Sequence, residues 1–368
     1  MKRYMGAVVL AVGAVMLVWS MLQFAPRLSA APQQQAGEQN EYAGLPWAYG
    51  YRTPFSATPA PRGRGAAGRG GAAGGGGAAA APAEDESAIR HVPGSTLAFT
   101  IKQIDSNDPA DWFPQDHPPM PQVVAHGRQG VRACGFCHYP NGKGRPNNAG
   151  PAGLPANYIL QQLEDFANGA RHPYDPRKRN TQQMIDIAKA LTPEDAKAAA
   201  DYFASMKWTP WVKVVEADMV PKVMYLGGGG GGSLCKPLEG AEAGMEPLGM
   251  RIVETPADFE QTEPLRNPRA GFIAYVPRGS LKKGEALVVG GGNGKTVACA
   301  ACHGEGLRGN DQLPSLAGRS PSYLAQQLLN FKHFTRVGPG ATLMQPIVEK
   351  LTDEDILDIV AYVASLQP

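Results

Sequence analysis

The most constraining feature of this 368-residue chain is an internal repeat. Ala152–Phe166 and Ala317–Phe331 align without a gap, and when they are extended to Arg171 and Arg336 eight of twenty positions are identical. A second block, Met184–Met206 against Met344–Leu366, adds nine identities in 23, including Leu-Thr-x-Glu-Asp at 191–195 and 351–355. Each copy opens fifteen residues after a cysteine, Cys137 or Cys302. Repetition of both order and spacing means two copies of one folding unit. At ~100–200 residues per domain the length accommodates two domains and a remainder.

Each copy reads as helical. Tyr158, Leu163 and Phe166, and in the second copy Tyr323, Leu328 and Phe331, fall near one face at helical spacing. Thr192-Pro-Glu-Asp195 and Thr352-Asp-Glu-Asp355 carry the signs of helix N-termini: a capping Thr, acidic residues in the first turn and, in the first copy, Pro at the first helical position. Ile356, Ile359, Val360 and Val363 then give the last helix an apolar stripe. Between the copies the chain changes character. From about Trp208 it is rich in Pro and β-branched residues, with strand-like runs at 212–215 and 272–276 and six glycines at 227–232. This predicts an extended connector with one small hairpin.

The N-terminus follows other rules. Lys2 and Arg3 precede an apolar stretch from Met5 to Leu22, the pattern of an export signal. Two readings stand: a signal peptide cleaved after Ser29-Ala-Ala31, or a retained membrane anchor, since the stretch approaches the ~17–25 residues that span a bilayer. Residues 59–83 hold ten Ala, nine Gly, three Pro and three Arg, with almost no bulky side chain to offset the entropy of ordering, so a disordered tether is expected. Within the polar stretch before it lies one aromatic patch, Leu45 to Tyr51, able to dock on a globular part. The formal charge of +2 divides into +5 for residues 1–83 and −3 for 84–368, which argues against a strongly basic nucleic-acid-binding domain.

Four of the five cysteines fall in two pentapeptides, Cys134-Gly-Phe-Cys137-His138 and Cys299-Ala-Ala-Cys302-His303. C-x-x-C-H is the c-type haem attachment sequence: two thiols three positions apart can add to the vinyl groups on one side of a porphyrin, and the adjacent imidazole then lies under the iron. Zinc would need two further ligands in each copy, and a thioredoxin-like pair would need a βαβ context. Two motifs with the same downstream pattern behind an export signal favour haem.

Met184 and Met344 hold the same place in the repeat, 46 and 41 residues after His138 and His303. A thioether opposite an imidazole favours ferrous iron, and two Met at equivalent positions are the candidate sixth ligands. His172 and His333 are rivals at non-equivalent positions, for which a loop role is the better reading. Cys235 lies outside both repeats and reads as an incidental thiol, and Gly290 to Thr296, which lacks the first Gly of a phosphate loop, reads as the approach to the second motif.

Taken together, the C-x-x-C-H motifs, the Ala-Gly-x-x-x-x-Tyr-x-x-Gln-Gln-Leu blocks and the Met-x-x-Ile-x-x-x-Leu-Thr-x-Glu-Asp blocks resemble tandem class I cytochrome c domains of the c4 type. The resemblance implies a mainly α protein with two covalently bound haem c groups: thioethers at Cys134, Cys137, Cys299 and Cys302, and axial pairs His138/Met184 and His303/Met344. The expected organisation is a signal or anchor at 1–31, a disordered tether at 32–90, a first haem domain at 91–207, the connector at 208–279 and a second haem domain at 280–368. The expected role is single-electron transfer in the periplasm between redox proteins, a membrane dehydrogenase or terminal oxidase among them. Membrane association would run through the N-terminus, and no nucleic acid is involved. The competing roles are a dihaem redox enzyme, of the cytochrome c peroxidase or thiosulfate dehydrogenase type, and the cytochrome subunit of a membrane dehydrogenase.

Overall fold

The computed structural model describes residues 44–52, 85–146, 148–227 and 233–368. The export-signal readings and the Gly/Ala-rich part of the tether lie outside these residues. Among them no helix is long and apolar enough to cross a membrane.

The first copy consists of a short helix α1 (Cys134–His138), then α2 (Ala156–Ala167), α3 (Arg179–Ala190) and α4 (Pro193–Ala204). Thr192 caps α4 as expected, its hydroxyl accepting from the Asp195 amide at 3.2 Å, with Pro193 opening the helix. α2 packs on both α3 and α4; Ile159 joins Ala200 and Phe203 of α4, with Val123 and Val124, in one buried cluster, and Phe166 joins Ile185 and Ala188 of α3 in another. Immediately upstream of α1 the helix is a single turn, Gln122–Ala125. Pro118, Pro119 and Pro121 stand where a longer helix would need amide donors and helical dihedrals, so none extends there.

Strand structure is concentrated in the connector, which is paired more extensively than the single hairpin expected. Its strands are β1 (Val212–Glu216), β2 (Met219–Pro221), β3 (Val223–Gly227), β4 (Ser233–Pro237), β5 (Met245–Pro247), β6 (Val253–Pro256) and β7 (Phe272–Val276). β1 runs parallel to β7, with Val212 opposite Phe272, and β6 runs antiparallel to β7 on its other side. β2 with β5, and β3 with β4, form separate antiparallel pairs. The alternation along β7 buries Phe272, Ala274 and Val276, and the last two join the core of the second copy.

That second copy begins with a full helix, α5 (Ser280–Gly290), followed by α6 (Ala300–His303), α7 (Pro321–Lys332), α8 (Gln345–Val348) and α9 (Asp353–Ser365). Thr352 and Asp355 form a reciprocal capping box at the start of α9. The predicted stripe Ile356, Ile359, Val360 and Val363 is buried. α5 crosses α9 so closely at Gly284 that a β-carbon there would lie 2.0 Å from the Asp358 carbonyl oxygen, which only glycine permits.

The aromatic patch ahead of the tether has a definite place, so this part of the 32–90 segment is not free chain. Pro46–Tyr49 forms a 3-10 turn, and Leu45, Trp47, Ala48 and Tyr49 are buried in the second core. Tyr49 donates to Asn330 at 3.2 Å, Gln326 donates to the Ala48 carbonyl, and Tyr51 reaches the Arg177 carbonyl of the first copy at 2.8 Å.

Candidate metal centres

Both pentapeptides adopt the same local geometry. Cys134 to His138 is one helical turn, and Cys299 precedes the equivalent turn α6. The imidazoles are held alike: Nδ1 of His138 lies 2.7 Å from the Ala149 carbonyl, and Nδ1 of His303 lies 2.9 Å from that of Pro314, each eleven residues downstream. A carbonyl accepts only, so Nδ1 carries the proton and donates, leaving the Nε2 lone pair available to a metal. Burial lowers the pKa of both imidazoles, which keeps them in the neutral, ligating form.

The thiols behave differently from a redox pair. Burial pushes Cys134 up to about 12 and Cys299 to about 11. Burial also raises Cys137, against the opposing pull of Arg266, Arg132 and Arg145. Reactive dithiols need depressed values, so the thioredoxin-like reading loses its basis. Among the described residues no group of three or more His, Cys, Asp or Glu is arranged to hold a metal ion.

In the first copy the predicted residues meet. A cavity of about 380 Å³ is lined by Cys134, Cys137, His138 and Met184, with Leu154, Ile159, Leu163, Phe166, Ile187, Leu191 and Phe203 as its apolar wall. Two thiols, an imidazole with a free nitrogen and a thioether around an apolar slot fit a covalently attached haem in donor type and in polarity. In the second copy Cys299 and Met344 pack against one core, His303 is buried and its amide donates to the Cys299 carbonyl, and Cys302 is exposed. Met184 sits within α3, whereas Met344 follows the 3-10 turn Pro339–Leu343 and directly precedes α8. The loop ahead of Met344 is five residues shorter, which accounts for the different local frame.

Neither rival histidine lines this cavity. His172 is exposed, and His333 stacks on Tyr174 with ring centres 3.6 Å apart, its pKa pushed to about 4 by burial and by Lys332. Cys235 is buried in β4 among Val220, Val223, Leu248 and Val253, its thiol pushed up to about 12 by burial, consistent with an inert thiol. Lys295, in the Gly-rich approach to the second motif, is tied to Asp355 at 2.8 Å and its neighbour Thr296 to the Ile347 carbonyl at 2.9 Å, so neither side chain is set for a phosphate.

Two functional residues escaped the sequence reading. Arg171 donates to Gln162 of its own copy at 3.0 Å and to Tyr323 and Gln327 of the other at 3.0 and 2.9 Å. Arg336 does the reverse, reaching Gln327 at 3.1 Å and then Tyr158 and Gln162 at 2.8 and 2.7 Å. Residue i meets j and j meets i, the signature of two-fold pairing, here between halves of one chain. Main-chain bonds from Val337 to Ala170 and from His172 to Thr335 add to it. Both guanidiniums are about 95% buried, yet the partners they donate to are all neutral. Arg171, Tyr158, Gln162, Tyr323 and Gln327 also line the first cavity, so a buried cation there faces the space that a dicarboxylate cofactor would fill. The signal was present: Tyr, Gln and Arg at these positions are identities of the repeat.

The cytochrome c family model matches residues 124–207 and 283–367. Cytochrome c4 of Stutzerimonas stutzeri is 29% identical over 247 residues, covering 65% of this chain and 87% of that protein. The thiosulfate dehydrogenase electron acceptor of Stutzerimonas stutzeri (strain A1501) is 38% identical over 237 residues, covering 64% of this chain and 79% of the relative. Among solved structures, reduced recombinant cytochrome c4 from Pseudomonas stutzeri aligns at 24% identity with a TM-score of 0.41, over 64% of this chain and 93% of that one. The duplicated motif, its matched histidine geometry and these relatives place the chain in the cytochrome c family, as a tandem, mainly helical electron carrier of the c4 kind with two covalently bound haem c groups.

Proposed function

We propose that Cys134 and Cys137 bind one haem and Cys299 and Cys302 the other, with His138 and Met184, and His303 and Met344, as the axial pairs. The observation that carries this is the single cavity wall shared by both thiols, the imidazole and the thioether of the first copy. The haem domains run 91–207 and 280–368, with 208–279 joining them.

When bound, each haem supplies a one-electron ferric/ferrous couple. The chain's part is to hold and tune it. The Nδ1 bonds to Ala149 and Pro314 fix each imidazole and strengthen it as a donor. The soft, neutral thioethers of Met184 and Met344 favour the ferrous state. Leu154, Ile159, Leu163 and Phe203 would keep water from the first centre, while Arg171, which lines the same cavity at the junction of the copies, would meet a haem carboxylate. His138 with Met184, and His303 with Met344, would hold the two irons through protein groups, which suits electron relay.

The carrier works in the periplasm between a substrate-oxidising dehydrogenase and a terminal acceptor. The relatives named as thiosulfate dehydrogenase electron acceptors favour a sulfur-oxidising donor, with this chain as its cytochrome partner. Met5–Leu22 supplies either the export signal or a membrane tie, and the mass of the mature N-terminus separates the two. The test of the ligand assignment is spectroscopic. The ferric protein should show the weak red charge-transfer band of Met–iron ligation, and Met184→Ala and Met344→Ala should each remove about half of it. Absence of the band in the unaltered protein would refute the assignment.

A further inference from the structure

The charge around the two attachment motifs differs. Phe136, inside the first motif, lies between two guanidiniums, with Cζ of Arg266 3.9 Å and Cζ of Arg132 4.5 Å from its ring centre. Arg266 also donates to the Phe136 carbonyl. Arg145 stands beside them, its Nε donating to Tyr139 at 3.2 Å and its Nη1 paired with Glu263 at 2.9 Å. Three cations, Arg266, Arg132 and Arg145, therefore stand close to this motif with the Glu263 carboxylate, and Asp195, itself paired with Arg128, also acts on Cys134. At the positions matching Arg132, Phe136, Tyr139 and Arg145 the second copy has Val297, Ala301, Gly304 and Asn310, all uncharged.

Arg266 belongs to neither copy. It comes from the connector, in a stretch clamped onto the first domain: the Trp112 indole donates to the Leu265 carbonyl at 2.6 Å and Asn141 donates to that of Pro268 at 2.8 Å. Its φ of +50° lies in the left-handed region that long side chains avoid, and such strain persists only where surrounding contacts over-determine it. The first cavity is also lined by Tyr323 and Gln327 of the other copy.

We propose that Arg266, delivered by the connector, holds net positive charge against the first haem-attachment motif and makes the first haem the higher-potential centre, so that electrons pass downhill from the second domain to the first. Reduction adds one negative charge to a haem, and a fixed cation in a partly dry site stabilises that state, as burial also does. In the transfer one electron leaves the second centre, which is oxidised, and arrives at the first, which is reduced; no bond or proton is involved. The inference rests on haem attachment at Cys134 and Cys137. A bare packing role for Arg266 over Phe136 would leave the potentials unchanged.

The test uses the full dihaem protein and spectroelectrochemical titration, with the first haem's midpoint identified by its selective fall in Met184→His. The first haem should titrate at the higher potential. Arg266→Gln should lower it by about tenfold in the one-electron equilibrium, a shift of about 59 mV. Arg266→Lys should restore it, and Glu263→Gln should raise it, with the second midpoint steady throughout. Structural damage would push Arg266→Gln and Glu263→Gln in the same direction, so opposite signs distinguish charge from damage. The proposal is overturned if the second haem has the higher potential, if neither variant moves the first midpoint, or if both move it the same way. Mass analysis of the peptide containing Phe136 reports separately on attachment: a peptide without haem refutes the underlying assignment, while a haem-bearing peptide with unmoved midpoints refutes the role of Arg266 alone.

Discussion

Glu254, on connector strand β6, sits where the connector and both haem domains meet, and its protonation should govern how firmly they are joined. Only 4% of it is exposed, and burial raises its carboxyl to about 7, from 4.5. Hydrogen bonds from Ser320 and Ser322 pull the other way but do not offset burial. The Ser320 hydroxyl lies 2.8 Å from Glu254 Oε2 and 3.0 Å from the Pro146 carbonyl of the first domain, and one hydroxyl proton cannot fully serve both. A protonated Glu254 donates to Ser320, which then donates to Pro146, while Oε1, which has no partner among the described residues, remains a neutral carbonyl oxygen instead of part of a buried charge. A carboxyl whose folded pKa lies above its unfolded value binds more protons when folded, so its stabilising effect is complete below about 4.5 and disappears as pH rises through about 7. At ~1.4 kcal/mol per unit, a difference of about 2.5 units is worth roughly 3 kcal/mol. Glutamine copies the shape of the protonated acid. Glu254→Gln should therefore match the parent protein near pH 4.5 and exceed it by up to roughly 3 kcal/mol at pH 8. The measurement is urea unfolding of both dihaem proteins, followed by the haem absorbance, from pH 4.5 to 8. Parallel pH profiles for the two proteins, or a variant that loses stability at pH 8, would refute the reasoning.

Three further substitutions probe the frame that positions the haems. Gly284→Ala should separate α5 from α9, because the new methyl would meet the Asp358 carbonyl at 2.0 Å, and thermal unfolding should register a loss of at least ~1–3 kcal/mol. Thr352→Ala removes the capping box of α9 and should cost about 1 kcal/mol by denaturant titration, with Thr192→Ala giving a comparable loss through α4. Trp47→Ala should destabilise the second domain by about 3 kcal/mol, near the lower end for a buried aromatic, since Trp47 Nε1 has no partner among the described residues and its removal relieves an unpaired donor; faster proteolysis near residues 44–52 would accompany it.

The sequence disclosed what is chemically local. Thr192 and Thr352 cap helices because their acceptors and the amides they meet lie three residues apart, and the two motifs are legible because each thiol pair and its imidazole occupy one turn. The connector is another matter. Val212 pairs with Phe272 sixty residues away, and the strand-like runs around them do not state which partner each takes. The patch at Leu45–Tyr51 announced its apolarity but not its groove, which α7 and the second core create. The junction of the domains is the more instructive omission. Tyr158, Gln162 and Arg171 were readable as repeat identities, and Tyr158 as part of a helical face, but a position can match in two copies for either of two reasons. Leu191 and Leu351 match because each copy needs the same core. Tyr158, Gln162 and Arg171 match Tyr323, Gln327 and Arg336 because the copies face one another, so each needs the groups that the other's guanidinium reaches for. Polarity and mutual reach together separate the cases: an identical apolar pair points inward, and these Arg, Gln and Tyr, which satisfy one another, point across a pseudo-two-fold axis, whereas the equally matched Gln161 and Gln326 bond to Asp165 and to the Ala48 carbonyl. In this chain that axis passes beside the first cavity. A cofactor carboxylate meeting Arg171 would therefore help to join the domains, and loss of haem should loosen the junction before it unfolds either copy.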